Sequence, residues 1–268
     1  MNSNINWFKK IADQWHIYRE PIIPSFGEVA LMKKVMRTGA RVLVLGATPR
    51  YRDLGHELKC EVVACDMNLE MLVSTSRLMK YSYKSAAETW VIANWLETPL
   101  KTNYFDYILG DFVISNIPLN LRSQFYLEIK RLLKKDGLFI TRHIMLDHNL
   151  KASAVVTHYA DQKDPNICEF QFAMQSVVWN KKLKQFDLRS VRQIIKQMIR
   201  KQALSNRRKY KILYQRFIAD YPFEKTWFQD AEINEEKKLK KYFQITAKKH
   251  ASDHRLSYLC PVYFLKKK

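Results

Sequence analysis

The 268-residue sequence predicts a doubly wound α/β protein. It reads as a seven-stranded, mostly parallel sheet with helices on both faces, a late antiparallel hairpin and a helical insertion. Three observations predict it. Strand-length apolar runs alternate with helix-period segments from residue 41 to 147. The runs lack polar alternation, as expected of strands buried on both faces. The chain is 47% hydrophobic and 13% aromatic, enough for a large core and against disorder.

The elements follow in order. Residues 5–17 carry Ile5, Phe8, Ile11, Ala12 and Trp15 on one helical face, and Pro21 and Pro24 end that segment. Trp7, Trp15 and Tyr18 read as helix packing, with a lid over the site as the alternative. Ser25 and Glu28 form a capping-box pattern that opens a helix running towards Gly39. ARVLVLG is the first strand, 50–58 a short helix, EVVACD (61–66) the second strand and 68–81 a helix. TWVIAN (89–94) and FDYILG (105–110) are the third and fourth strands. A strongly periodic helix spans 119–135, Asp136-Gly137 reads as a turn, and LFITRHIML (138–146) is the fifth strand.

Beyond 147 the rhythm changes. Residues 167–220 read as largely helical, with Val191, Ile194, Ile195, Met198 and Ile199 on one face. KYFQIT (241–246) and LSYLCPVYFL (256–265) return to strand character and are expected to pair as an antiparallel hairpin at a sheet edge. The expected division is a helical cap over 1–40, a ligand-binding core over 41–147, a mainly helical insertion over 148–238, and two closing strands over 239–268.

Formal net charge is +20, which favours acidic partners or simply a well-solvated surface. Between Lys181 and Lys211 there are twelve Lys or Arg against one acid, Asp187. No apolar run reaches the roughly 20 residues of a membrane span. The N-terminus lacks a signal-peptide pattern, so the expected location is cytoplasmic. The cysteines (Cys60, Cys65, Cys168, Cys260) form no C-x-x-C pair, and the histidines show no H-E-x-x-H spacing. Neither disulfides nor a metal site is expected.

Ligands of such sheets bind outside the carboxyl ends of the strands. The first strand ends in Gly46-Ala47-Thr48-Pro49, where one glycine stands in place of the three of a dinucleotide turn. A pyrophosphate needs close backbone approach and free amides around it; Thr48 and Pro49 remove that fit. A nucleoside without phosphates makes no such demand. Asp66, twenty residues beyond Gly46, suits the hydroxyls of a ribose. Asn94 offers a donor and an acceptor to a base edge, and Met67 or Trp95 a surface for its ring. Asp111 and Phe112 follow the fourth strand.

The ordered set VLVLGATP, EVVACDMN, VIANWLETPL, FDYILGDF and LLKKDGLFITRHI resembles the class I S-adenosylmethionine-dependent methyltransferases. The resemblance covers about residues 41–147 and the late hairpin. It implies a Rossmann-like core binding S-adenosyl-L-methionine. Gly46, Ala47, Thr48 and Pro49 would line the methionine and ribose end. Asp66 would hold the ribose hydroxyls, Met67 would touch adenine, Asn94 would meet the adenine amino edge with Trp95 beside it, and Asp111 and Phe112 would lie near the amino group or transferred methyl. The implied activity is methyl transfer to an unidentified small molecule or peptide.

Methyl transfer from a sulfonium needs alignment first and a base only where the acceptor must lose a proton. His16, Tyr18, Glu20, Asp111 and His143 are unranked candidates for that base. Two other readings stand beside the first. The 181–211 segment gives an RNA-modifying or RNA-binding protein on the same fold, and the glycine-poor turn gives a non-catalytic scaffold.

Overall fold

The computed structural model describes residues 14–81, 88–201, 204–221 and 224–268. The expected first helix and Trp7 therefore fall almost wholly outside the described residues; Trp15–Ile17 is a 3₁₀ turn. The strands are β1 (Arg41–Leu45), β2 (Glu61–Asp66), β3 (Glu88–Ile92), β4 (Phe105–Asp111), β5 (Leu133–Arg142), β6 (Gln185–Asp187), β7 (Thr226–Phe228), β8 (Phe243–Lys249) and β9 (Val262–Lys267). The main sheet has the order β3-β2-β1-β4-β5-β9-β8. β1 to β5 run parallel, while β9 pairs antiparallel with both β5 and β8. This is the expected Rossmann-like sheet with its late hairpin.

The helices are α1 (Phe26–Lys33), α2 (Pro49–Glu57), α3 (Leu69–Ser76), α4 (Val113–Asn116), α5 (Arg122–Leu132), α6 (Ala152–Ala160), α7 (Ile167–Val178), α8 (Leu188–Lys201), α9 (Leu204–Asp220) and α10 (Glu232–Tyr242). The Ser25–Glu28 capping box forms as read: Glu28 N donates to Ser25 Oγ at 3.1 Å, and Ser25 N donates to Glu28 Oε2 at 2.6 Å. Pro49 takes the first turn of α2, where its missing N–H costs nothing.

One expectation fails in an instructive way. Asp136-Gly137 is not a turn; β5 begins at Leu133 and runs through it. A Cβ on Gly137 would come within 3.0 Å of the Phe105 carbonyl oxygen, so this glycine admits a neighbouring backbone. Within the mainly helical insertion, β6 and β7 add a separate two-stranded ribbon. Three-residue strands leave no periodicity for a sequence reader to find.

One large apolar core covers one sheet face and extends into the insertion, joining Leu43, Ile108, Phe139, Phe172 and Ile195. A smaller one lies under α1 and α2 on the other face, around Met32, Val44, Tyr51 and Leu109. Val191 and Ile195 are buried, and Ile194, Met198 and Ile199 pack against the core. Among the described residues, no helix is long and apolar enough to cross a membrane.

Candidate active site

The strand order reverses between β1 and β4, and a crevice opens there at the carboxyl ends. Gly46 has φ +89°, a conformation that L side chains avoid. Its N–H donates to the Cys65 carbonyl at 2.7 Å. A Cβ on Gly46 would lie 3.6 Å from the Trp95 ring and 3.8 Å from Asp66 Oδ2. Glycine, carboxylate and indole therefore form one cradle. Trp95 is held by its indole N–H, which donates to the Cys65 carbonyl at 2.8 Å. Asp66 Oδ1 accepts from Asn68 N at 2.9 Å. Burial pushes the Asp66 carboxyl up to about 6, against the pull of the Asn68 N–H and of Lys225.

The other sequence-derived residues divide. Met67 and Asn94 are exposed at the outer rim, and Asn94 Oδ1 accepts from Leu96 N at 3.1 Å in a tight turn. Ala47 is buried with Ala64, Met71 and Leu72. Pro49 serves α2. Thr48, Asp111 and Phe112 line a separate cavity of about 150 Å³.

Asp111 is not free to act alone. The β4–β5 register sets it directly opposite Arg142, whose Nε donates to Asp111 Oδ1 at 2.8 Å. Arg142 Nη1 also donates to Glu28 Oε2 at 2.7 Å, and both guanidinium and Glu28 side chains are fully buried. Burial pushes Asp111 up to about 6, with Arg142 pulling it back. Burial acts on Glu28 too, but Arg142, His254 and the Ser25 N–H together outweigh it and leave that carboxyl below its ordinary value. The same guanidinium donates to the Ile22 and Ile23 carbonyls at 3.3 Å and lies 4.1 Å from the Phe112 ring centre. Arg50 pairs with Glu20 at 2.5 Å and also donates to the Pro24 carbonyl. Two arginines thus strap residues 20–24 across the strand ends.

That strap brings Trp15, Tyr18 and Ile22 to the cavity. Trp15 and Tyr18 thus pack into the core and also line this cavity. The far wall comes from the insertion: Gln171, Phe172 and Gln175 on α7, then Tyr221, Lys225 and Trp227. Among the candidate bases, His16 is exposed and Glu20 is committed to Arg50. His143 is fully buried, with its ring edge-on to Tyr263 and its Nε2 at 3.2 Å from Gln229. Burial pushes it down to about 4, so it is a neutral core histidine.

Sequence reasoning missed Lys225. The β6–β7 ribbon places it: Leu188 N donates to the Lys225 carbonyl at 3.3 Å, and Trp227 stacks on Phe186 with centroids 5.5 Å apart. Lys225 Nζ donates to Asn116 Oδ1 at 2.6 Å. Burial pushes this amine down to about 7, while Asp66 pulls the other way. The available signal was a single lysine amid Phe223, Trp227 and Phe228. Gln171 and Gln175, four apart in a mostly apolar helix, were a second one. Glu28, His254 and Cys260 also converge within 4.8 Å, but the Arg142 charge beside Glu28 opposes a cation there.

The comparisons add family and fold. Residues 45–141 match the family model described as a methyltransferase domain. No curated protein matches the sequence. Among solved structures, a Rhodobacter sphaeroides protein assigned to the zinc-dependent alcohol dehydrogenases is similar over 100% of both chains, with 14% identity and a TM-score of 0.66. The PH0226 protein of Pyrococcus horikoshii is similar over 95% of this chain and 99% of its own, with 13% identity and a TM-score of 0.59. A Methanosarcina mazei structure described as a SAM-dependent methyltransferase is similar over 88% of this chain and 96% of its own, with 13% identity and a TM-score of 0.54. At such identities the likeness is one of fold. Residues 45–141 are thus similar to the methyltransferase-domain family, and the sheet built around them has the Rossmann-like fold of class I S-adenosylmethionine-dependent methyltransferases.

Proposed function

We propose that the protein is an S-adenosylmethionine-dependent methyltransferase acting on a small molecule. The observation that carries this reading is the cradle of Gly46, Asp66 and Trp95 beside a cavity at the switch point. The residues present fit the cofactor. Gly46 leaves open the place a Cβ would fill, and Asp66 is a desolvated carboxylate suited to accept from two ribose hydroxyls. No glycine-rich pyrophosphate turn is present, which counts against a nicotinamide dinucleotide. When bound, the cofactor supplies an activated methyl group on a sulfonium. Asp66 fixes the ribose, Gly46 allows the backbone to approach, Trp95 walls the cradle and Asn94 stands at its exposed rim. Thr48 and Phe112 belong to the end nearest the acceptor.

A cavity of about 150 Å³ is below the usual 300–1,000 Å³ of a site holding a whole drug-sized ligand. The adenosine end therefore belongs to the open cradle and the acceptor to the cavity. The basic segment gives less support to an RNA acceptor. Lys184 pairs with Asp230, Arg189 and Arg192 with Glu224, and Lys209 with Asp161, which neutralises part of its charge.

Calorimetric titration with S-adenosylhomocysteine and with NAD tests the reading. Binding of S-adenosylhomocysteine without NAD is expected. NAD binding alone replaces it with a dehydrogenase, and binding of neither leaves the scaffold. Gly46→Ala offers a second check. The positive φ makes an L residue cost about 1–2 kcal/mol, read by denaturant unfolding. The added methyl also fills the cradle, so S-adenosylhomocysteine affinity falls as well. Unchanged affinity in a folded Gly46→Ala protein places the ligand elsewhere.

A further inference from the structure

We propose that Lys225 is the proton acceptor of the methyl transfer, and that the molecule methylated is a small one bearing an N–H or O–H, seated against Gln171, Gln175 and Tyr18. This rests on the cofactor reading above and deepens it.

The cavity is the first observation. Its volume of about 150 Å³ is small beside the usual 300–1,000 Å³ of a ligand pocket, which suits a small molecule. Its polar lining is the second. Gln171 Oε1, Gln175 Oε1 and Tyr18 Oη are buried without a hydrogen-bond partner, on residues only 1%, 3% and 6% exposed. Buried polar atoms are normally satisfied, and amide oxygens only accept. The ligand that completes this wall therefore carries N–H or O–H groups. The i, i+4 spacing of the two glutamines sets both on one face of α7.

Lys225 is the third observation. The β6–β7 ribbon and the Asn116 contact hold its amine in the same cavity as Thr48, Asp111 and Phe112. A permanently charged ammonium there would repel the sulfonium; this one is brought down to about 7 by burial, so its neutral form is accessible. The acceptor lone pair forms the bond to the methyl carbon, and the carbon–sulfur electron pair stays on sulfur. The acceptor's proton passes to Lys225 Nζ. The positive charge lost at sulfur reappears on the amine, so the total charge of the pocket does not change.

Other charged groups face this amine. Asp66 from β2 acts on it directly, and Asp111 from β4 lines the same cavity; burial pushes both carboxyls up to about 6, with Arg142 and Glu28 behind Asp111. Tyr18 and Tyr221 are pushed upward by burial and stay neutral near pH 7.

The test compares S-adenosylmethionine with neutral S-adenosylhomocysteine by calorimetry between pH 6 and 8. In the wild type, the affinity of the sulfonium relative to the thioether falls about tenfold per pH unit below 7. Sulfonium binding also releases a proton, measured by repeating the titration in buffers of different ionisation enthalpy. Lys225→Met abolishes both effects, and Lys225→Arg, permanently charged, holds sulfonium binding across the range at the weak level the wild type reaches in acid. Binding of S-adenosylhomocysteine shows that each variant is folded. A flat ratio in the wild type overturns the role of Lys225. A pH dependence that survives Lys225→Met assigns the effect to Asp66 or Asp111, with the same consequence. Failure of the wild type to bind S-adenosylhomocysteine removes the cofactor reading and this inference with it.

The acceptor class is read by tryptophan fluorescence on the S-adenosylhomocysteine complex with phenol and anisole, which differ by the donor proton. Phenol binding about tenfold tighter, with the preference lost in Gln175→Leu, supports the assignment. Equal or absent binding overturns it.

Discussion

Asp66→Ala is expected to weaken S-adenosylhomocysteine binding by about 10- to 100-fold while leaving the protein folded. A hydrogen bond to a charged group contributes about 1.5–3 kcal/mol, and each 1.4 kcal/mol is tenfold in affinity. The carboxylate is well placed for this. Oδ1 is committed to Asn68 N, while Oδ2 faces the place a Cβ on Gly46 would fill. Folding should suffer little, because burial already holds this carboxyl up at about 6. A raised acid pKa works against the fold as pH rises through it. Wild-type affinity should also fall as pH drops below about 6, where the carboxyl takes up a proton and loses acceptor strength. Asp66→Ala should lack that dependence. An alanine variant that binds as tightly as wild type removes Asp66 from the ribose site.

Arg142→Met carries the largest expected cost to stability, about 3–5 kcal/mol, the range for breaking a buried ion pair from one side. It leaves the Glu28 and Asp111 carboxylates buried without their guanidinium, and frees the Ile22 and Ile23 carbonyls of the strap. The sign of the pH effect follows. In the wild type, Glu28 is held below its ordinary value, so its contribution is present at neutral pH and is lost as pH falls through that lowered value. Without Arg142, both acids rise above their unfolded-state values, and the variant gains stability as pH falls from 7 towards about 4. Denaturant unfolding across that range should show the gap to wild type narrowing in acid. A loss under about 1 kcal/mol at pH 7 would show that the network does not hold the strap.

The core was legible in the sequence because its signals are local. Five apolar runs separated by helix-period segments dictate parallel strands, and right-handed crossovers put their carboxyl ends on one edge. That edge brings Gly46, Asp66 and Trp95 together in space, and all three were nameable from strand ends alone. Other parts were not legible, each for a physical reason. Asp111 reads as a free acid at a strand end, yet the register across β4 and β5 sets Arg142 opposite it. His143 reads as a base but lies in the core. The β6–β7 ribbon joins residues about forty apart through three-residue strands, too short to announce themselves.

The sequence by itself determined the sheet, the glycine-poor turn that suits a phosphate-free nucleoside, and the acid that follows it. Those features depend on hydrophobic periodicity and on single residues at strand ends, where neighbours along the chain suffice. Tertiary structure alone decided what closes the site. The arginine-tethered strap, the two unpartnered glutamines and Lys225 come from segments more than a hundred residues from at least one of their neighbours. Only burial and packing between those segments set the charge of the lysine and leave the glutamine oxygens waiting for a donor.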